Sequence, residues 1–170
     1  WFPMTELPRR MVEAGAVDWA YLPPFGLDAR VQDLVVTLAE EAATAQGRAT
    51  AQAEVLLAAH GSFRSSAPSE VAQAVAQRLT RAGFARAEAF FIDQEPRIAT
   101  ATGFEAGSVC LPFFAAAGGH VSDDIPAALS KAGFRGTILP PLGLNPRAPH
   151  LVAAAIQRGH TICATACRHG

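Results

Sequence analysis

The chain has 170 residues, of which half are hydrophobic and 17% are charged, and its formal net charge is −1. This length suits one domain or slightly more, and the composition allows a sizeable core. With so little net charge the chain has no overall field to attract nucleic acid, so we expect no nucleic-acid partner.

The chain carries no signal that predicts a membrane or secreted location. No apolar run approaches the roughly 18 residues that span a bilayer. The segment 1–10, WFPMTELPRR, lacks a basic region followed by an apolar stretch and does not resemble a signal peptide. The three cysteines, Cys110, Cys163 and Cys167, are few and odd in number, which indicates free thiols in a reducing compartment. We therefore expect a cytoplasmic protein without membrane contact.

Short apolar runs alternate with segments of helical periodicity along most of the chain. The predicted strands are 55–59, 87–92, 109–114 and 137–139. The predicted helices cover about 68–82, 96–102, 123–133 and 147–157, with Gly83, Gly133 and Gly159 as stops. The strands are apolar throughout, as burial on both faces requires. This order predicts an α/β fold in which helices flank a parallel four-stranded sheet.

A short internal repeat relates the start of the chain to its end. The segment 22–28, LPPFGLD, resembles 139–145, LPPLGLN, at an offset of 117 residues, and Arg30 and Arg147 keep that offset. Such repeats indicate duplicated supersecondary units, and the first copy here would contain only a helix, a strand and a helix. The predicted regions are the C-terminal remnant of a first lobe at 1–48, a complete second lobe at 52–159 and a C-terminal tail at 160–170. By the same arithmetic, about 66 upstream residues would form the missing half of the first lobe.

Three polar residues follow three of the predicted strands. His60 comes after the first strand, Asp93 after the second, and His120 after the third and a glycine-rich loop. Because ligands bind at the carboxyl ends of parallel strands, we expect these side chains on one rim of the sheet. Two imidazoles and a carboxylate suit a borderline divalent metal ion. The sequence therefore predicts a metal site at His60 and His120.

Other residues near this rim suit a bulky, acidic ligand. Gly118 and Gly119 would let a flat ligand approach the backbone next to the second histidine. The side chains that could bind ligand carboxylates are Ser62, Arg64, Arg97 and Arg147. Each of these residues also has an ordinary interpretation, as a turn residue, a helix cap or solvated surface. Their coincidence on one rim favours a ligand site.

Two motifs resemble those of a known family. The segment 113–126, FFAAAGGHVSDDIP, and HGS at 60–62 after a strand resemble the motifs of the class II chelatases. The more specific resemblance is to the CbiX-type sirohydrochlorin cobaltochelatases and ferrochelatases. It covers about 52–158 as one lobe and 1–48 as the remnant of another. The resemblance implies a duplicated, chelatase-like fold whose first copy is incomplete here.

The resemblance also implies an activity, namely insertion of Co²⁺ or Fe²⁺ into sirohydrochlorin or a related tetrapyrrole, for cobalamin or sirohaem biosynthesis. It implies that His60 and His120 bind the incoming metal and help to remove protons from the pyrrole nitrogens. Asp93 would be an acidic helper at a position where the family usually has Glu. The first copy has Phe2 where the second has His120, so one active site per two-lobed molecule is expected. No cofactor beyond the substrate metal is expected at this site.

Two other functions remain open from the sequence. A non-catalytic metal- or tetrapyrrole-binding protein of the same fold would use the same histidines. A flavodoxin-like nucleotide or phosphate binder is disfavoured, because the chain has neither G-x-x-x-x-G-K-[ST] nor G-x-G-x-x-G after a strand. The sequence does not choose between cobalt and iron, since both metals use the same ligands.

The C-terminal tail has its own candidate site. Cys163 and Cys167 are four residues apart, with His160 and His169 nearby. Helical spacing would place both thiols on one face, where they could hold a metal or part of an iron–sulfur cluster, or form a redox pair. The commoner interpretation of such a tail is a flexible terminus. Cys110 lies within an apolar strand and is expected in the core.

Overall fold

The computed structural model describes residues 2–16 and 22–166. Its helices are α1 (Phe2–Glu13), α2 (Ala29–Ala45), α3 (Ala67–Arg81), α4 (Ile125–Lys131) and α5 (Ala148–Ala166). Its strands are β1 (Glu54–Ala59), β2 (Arg86–Phe91), β3 (Val109–Pro112) and β4 (Thr137–Ile138). At the offset of 117, the strand that the repeat predicts in the first copy falls at about residues 20–22, mostly outside the described residues. Cys167 lies outside them as well.

The four strands form one parallel sheet in the order β2–β1–β3–β4. β1 lies between β2 and β3, and its residues from Val55 to Ala58 are completely buried. A strand covered on both faces has no polar side to present, which explains the unbroken apolar run in the sequence. The predicted α/β fold with a parallel four-stranded sheet flanked by helices is confirmed. No helix in the described part of the chain is long and apolar enough to cross a bilayer.

The predicted helix at 96–102 is wrong. The structure has only a 3₁₀ turn there, Ile98–Thr100, and Arg97 before it is extended, with φ −77° and ψ 145°. The chain instead runs back beside the end of β2, where Phe91 N–H donates to the carbonyl of Pro96 at 2.9 Å. Ile98 is then buried in the core, so tertiary packing outweighs the local helical pattern.

The predicted end of the last helix is also wrong, because α5 continues through Gly159 to Ala166. A Cβ atom at position 159 would lie 2.2 Å from Cδ2 of Leu22. This glycine therefore allows close packing of the helix against the segment before α2 and does not end the helix. The backbone at Cys163 is helical as a result.

Helix α2 covers one face of the sheet. Its buried residues recur every three or four positions and are Val31, Leu34, Val35, Ala39 and Ala43. They belong to one core with Leu57 of β1 and Leu111 of β3. A smaller core on the opposite face is closed by α4, through Ile125 and Leu129. Helix α2, which belongs to the predicted first-lobe remnant at 1–48, therefore covers one face of the sheet of the second lobe.

The sequence repeat extends to the backbone. Two 3₁₀ turns, Phe25–Leu27 and Leu142–Leu144, occupy equivalent positions before α2 and α5. After each turn a side chain, that of Asp28 or Asn145, accepts a 2.9 Å hydrogen bond from the backbone N–H two residues on. The two segments thus lead into their helices through the same local structure.

The two equivalent helices differ in what they cover. The offset of 117 pairs Val35 with Val152 and Ala39 with Ile156. Val35 and Ala39 are completely buried against the sheet, whereas Val152 and Ile156 are 42% and 45% exposed. A groove of about 340 Å³ lies beside these α5 residues and is bordered by the segment 22–28. The same apolar stripe therefore faces a sheet in one copy and a groove in the other.

Cys110 lies on β3 with no exposed surface, so the core prediction is confirmed. Burial raises the pKa of its thiol from 9.0 to about 12. At about pH 8 such a thiol has roughly a thousandth of the thiolate of an exposed cysteine. We expect Cys110 to resist iodoacetamide in the native protein and to react in urea, as measured by peptide mass mapping. Rapid labelling of Cys110 in native protein would contradict its burial.

Candidate active site

His60 directly follows β1 at the carboxyl edge of the sheet. The next residue, Gly61, has φ +74°, and a Cβ there would lie 2.8 Å from Cγ of Gln94. Both features require glycine. Gln94 Oε1 accepts a 2.8 Å hydrogen bond from the backbone N–H of Ser62. The turn that carries His60 is therefore tied to the segment that follows β2.

Asp93 lies beside His60. Its Oδ2 is 3.5 Å from His60 Nδ1, and its backbone N–H donates to the His60 carbonyl at 3.0 Å. The carbonyl of Gly61 also lies 3.2 Å from His60 Nδ1. Both neighbours of Nδ1 are acceptors, so the ring proton belongs on Nδ1 and Nε2 keeps a lone pair. Asp93 caps no α-helix, since the chain after it bends and leads only into the 3₁₀ turn Ile98–Thr100.

His120 begins a π-helical turn, His120–Asp124, which leads into α4. Its carbonyl accepts from the N–H of Ile125, five residues on. His120 Nδ1 donates to Asp124 Oδ2 at 2.7 Å, because a carboxylate can only accept. Nε2 of this histidine therefore also keeps its lone pair. Turns of this kind are rare and are frequent at functional sites.

The two histidine rings meet at the rim. Their centroids are 4.8 Å apart and their planes are nearly perpendicular, at 89°. The side chain of His60 is 47% exposed and that of His120 is 50% exposed, so solutes can reach both. The pair supplies two imidazole nitrogens, each on a ring oriented by a carboxylate. In the described residues, no group of three or more His, Cys, Asp or Glu side chains is placed to hold a metal.

An apolar cavity of about 240 Å³ adjoins His60. It is bordered by both repeat turns, by the loop after β3 and by the start of α3. Its apolar walls include Phe25, Leu27, Phe113, Phe114 and Leu142. Sites that enclose a small ligand are commonly about 300–1,000 Å³, so this cavity can take only part of a large ligand.

Gly118 and Gly119 are exposed just before His120. The carbonyl of Gly118 accepts from the N–H of Val121 at 2.8 Å, in a tight turn that leads into the π-helical turn. No atom lies within 4 Å of a Cβ built on Gly118, and the nearest to one on Gly119 is Asp123 Oδ2 at 3.8 Å. The backbone before His120 is therefore exposed and uncrowded, while ligand binding by the two glycines stays a prediction.

The remaining predicted ligand residues are placed differently from one another. Ser62 and Arg64 lie on the loop after His60, where Ser62 Oγ accepts from the Arg64 N–H at 3.1 Å. Arg147 donates through Nη2 to Glu41 on α2 at 2.6 Å and does not line the cavity. The structure thus places the first two on the loop that follows His60 and pairs Arg147, just before α5, with α2.

The CbiX family model matches residues 54–159, which is well over half of the chain. The chain belongs to the CbiX family. The matched region runs from the start of β1 into α5 and includes both histidines and Asp93. No curated protein sequence matches the chain.

Solved structures agree with membership of the CbiX family. One is described as the structure of CbiX, the terminal enzyme for biosynthesis of siroheme in denitrifying bacteria. It has a TM-score of 0.85 and 46% identity, over 93% of this chain and 70% of that one. SirB from Bacillus subtilis with Fe³⁺ has a TM-score of 0.71 and 15% identity, over 95% and 68% of the two chains. DR2241 from Deinococcus radiodurans, a multi-domain protein described as structurally similar to chelatases, has a TM-score of 0.68 and 19% identity, over 94% of this chain and 39% of that one. The last two share the fold alone.

Two residues of this CbiX-family site were missed by the sequence analysis. Asp124 fell at the start of the helix predicted at 123–133, yet its carboxylate holds the His120 ring and makes no side-chain cap. Its spacing of four from His120 was the available signal, since residues i and i+4 adjoin on a helix. Gln94 carries no comparable signal, because its contact with Ser62 joins segments 32 residues apart.

Proposed function

We propose that this protein inserts Fe²⁺ into sirohydrochlorin to form sirohaem, with His60 and His120 as the ligands of the incoming metal. The observation that carries the proposal is the perpendicular histidine pair, in which Nδ1 of each ring faces a carboxylate and Nε2 is left for a metal. Imidazole nitrogen is a suitable ligand for iron(II) and cobalt(II) alike. Iron is preferred because the relative that is 46% identical is described as an enzyme of siroheme biosynthesis.

Metal insertion must bring a cation to four pyrrole nitrogens and remove two protons. In the proposed mechanism the two Nε2 atoms hold the metal at the rim, with the remaining coordination positions open to the macrocycle. Holding both reactants together supplies part of the rate gain. As the metal passes to the pyrrole nitrogens, each released imidazole accepts one pyrrole proton as a general base.

The carboxylates beside the rings support this proton transfer. Asp124 is 2.7 Å from Nδ1 of His120, and Asp93 is 3.5 Å from Nδ1 of His60. Each carboxylate lowers the energy of the imidazolium that forms when Nε2 takes a proton. Two histidines, each with a carboxylate, match the two protons that must leave. The apolar cavity next to His60 receives part of the macrocycle and keeps water from that side.

Anaerobic mixing of the protein with sirohydrochlorin and either Fe²⁺ or Co²⁺ tests the proposal, with absorbance followed over time. We expect Fe²⁺ insertion well above the spontaneous rate and above the catalysed rate with Co²⁺. Faster catalysis with Co²⁺ would indicate a cobaltochelatase, for which the same two histidines serve. Folded protein that binds metal or tetrapyrrole without accelerating insertion would instead be a non-catalytic binding protein of the same fold.

Asp124 offers a sharp test of how the metal ligand is oriented. Replacement by alanine removes the acceptor that fixes the tautomer and direction of His120, so we expect metal affinity to fall by roughly 10–100-fold. Titration calorimetry with Co²⁺, without macrocycle, measures this change. The neighbouring Asp123→Ala is the control, because Asp123 is also exposed and the hydrogen bond to the ring comes from Asp124. Equal affinity in both variants would mean that Asp124 does not orient the ligand.

A further inference from the structure

Phe63 is the most exposed large apolar side chain in the described part of the protein, at 73%. It lies on the loop between β1 and α3, three residues after His60. An apolar ring beside a ligand site is a favourable surface for a flat, apolar ligand, because contact removes both surfaces from water. A single exposed phenylalanine is common on protein surfaces, however, so an argument that Phe63 binds a ligand must come from its surroundings.

The loop holds Phe63 in place. The backbone N–H of Ser62, just before it, donates to Gln94 Oε1 at 2.8 Å, and the N–H of Arg64, just after it, donates to Ser62 Oγ at 3.1 Å. Gly61 adopts the positive φ that lets the chain turn here. The ring is therefore presented to solvent by a loop that is tied to Gln94 just before the ring and closed by a local hydrogen bond across it.

Arg97 accompanies the ring. Its Cζ atom lies 5.6 Å from the Phe63 ring centroid, within the range of a cation–π contact. Nη1 of Arg97 donates to the carbonyl of Ile92 at 2.8 Å, and Nε lies 3.5 Å from Glu95 Oε1. These contacts engage two of the five N–H donors of the guanidinium, and the side chain is partly exposed. An anchored guanidinium with donors to spare beside an aromatic ring suits a ligand that is both apolar and acidic.

The cavity beside His60 is too small to hold a whole tetrapyrrole, so the ligand needs a further contact outside it. At about 240 Å³ it can enclose only part of a tetrapyrrole, and neither Phe63 nor Arg97 is part of its lining. The cavity lies on the side of His60 that Phe113 and Phe114 border. A macrocycle whose centre faces the histidine pair must therefore extend beyond the cavity.

We propose that Phe63 and Arg97 form a second contact for the macrocycle, outside the cavity. Phe63 packs against an edge of the ring system, and Arg97 binds a carboxylate on its periphery. This inference rests on the proposed function, because it assumes a tetrapyrrole at the histidine pair. The two residues bind macrocycle and take no part in holding the metal or moving protons.

The test separates macrocycle binding from metal binding and turnover. Phe63→Ala, Arg97→Ala and Arg97→Lys are compared with Val12→Ala and Arg81→Ala, which change exposed residues on α1 and α3. Sirohydrochlorin is titrated without metal, Co²⁺ is titrated without macrocycle, and KM and kcat are measured for insertion. We expect Phe63→Ala and Arg97→Ala to raise the Kd and KM for sirohydrochlorin about tenfold, with kcat and Co²⁺ affinity unchanged.

Further outcomes identify which proposal fails. Arg97→Lys should recover part of the affinity, because it keeps the charge without the planar donor array. Turnover by the wild type with a macrocycle Kd within about twofold of wild type in both alanine variants would overturn the contact and leave the chelatase function standing. No turnover, with macrocycle binding that both alanine variants weaken, would overturn the function and leave the contact. A wild-type protein that binds no sirohydrochlorin would overturn the contact outright.

Discussion

Replacing either His60 or His120 with alanine is expected to lower kcat for metal insertion by roughly 100-fold or more, which is the usual contribution of a positioned general base. Each substitution also removes one of the two nitrogen atoms that we propose as ligands of the incoming metal. Both side chains are about half exposed, so their loss leaves no large buried cavity and the fold should persist. Anaerobic insertion kinetics with Fe²⁺ measure the activity, and thermal unfolding checks the fold.

The two histidines are proposed to act as a unit, so their effects should not add. The double variant is expected to be about as slow as the slower single variant, because one remaining imidazole can neither hold the metal nor take both protons. His150→Ala is the matched control, since His150 is an exposed histidine at the start of α5 that belongs neither to the histidine pair nor to the cavity lining. Full activity in both single variants, with folding intact, would show that the mechanism is wrong.

The second large effect is on stability, and we expect it from a Val→Asp substitution in α2 but not from the same substitution at the equivalent position of α5. Val35→Asp puts an unpaired carboxylate into the core between α2 and the sheet, where Val35 is completely buried. Its expected cost is at least about 3 kcal/mol in the free energy of unfolding. In a chain of this size that lowers Tm by roughly 6–12 °C. Urea and thermal denaturation, followed by circular dichroism, measure both quantities.

Val152→Asp is the control, because the repeat places Val152 at the position in α5 that Val35 occupies in α2. The residue type and the substitution are identical, while Val152 is 42% exposed. Its expected cost is within about 0.5 kcal/mol, as for ordinary surface changes. Equal destabilisation by the two substitutions would contradict the difference in burial between the helices.

The position of the histidine pair followed from topology alone. His60, Asp93 and His120 come after β1, β2 and β3, and these strands are neighbours in the sheet. Their carboxyl ends therefore share one rim within a few ångströms, as rules for parallel sheets predict. Arg147 shows the limit of that rule, because β4 lies two strands from β1, or about 10 Å along the rim. A sequence pattern tells which rim a residue occupies and leaves its place along the rim to the strand order.

The features that sequence analysis predicted wrongly or missed depend mostly on single contacts that the local pattern does not show. Local sequence analysis predicts that a helix ends at Gly159. In the structure α5 continues past it, and the glycine is needed because the side chain of Leu22 packs directly against it. Asp124 fits a helix cap and a histidine partner equally well, and the π-helical turn decides for the partner. The helix predicted at 96–102 fails for the same reason, since the burial of Ile98 outweighs local propensity.

The position of α2 in the chain has a consequence for synthesis on the ribosome. Helix α2 ends at Ala45, whereas β3, which it covers together with β1, begins only at Val109. At translation rates of about 5–20 residues per second, the intervening stretch of about 64 residues takes roughly 3–13 s to make. During that interval the apolar stripe of α2 has only part of its sheet to pack against. The nascent chain should therefore be a substrate for ribosome-associated chaperones, and slower translation of the region between β1 and β3 should lengthen its exposure to aggregation.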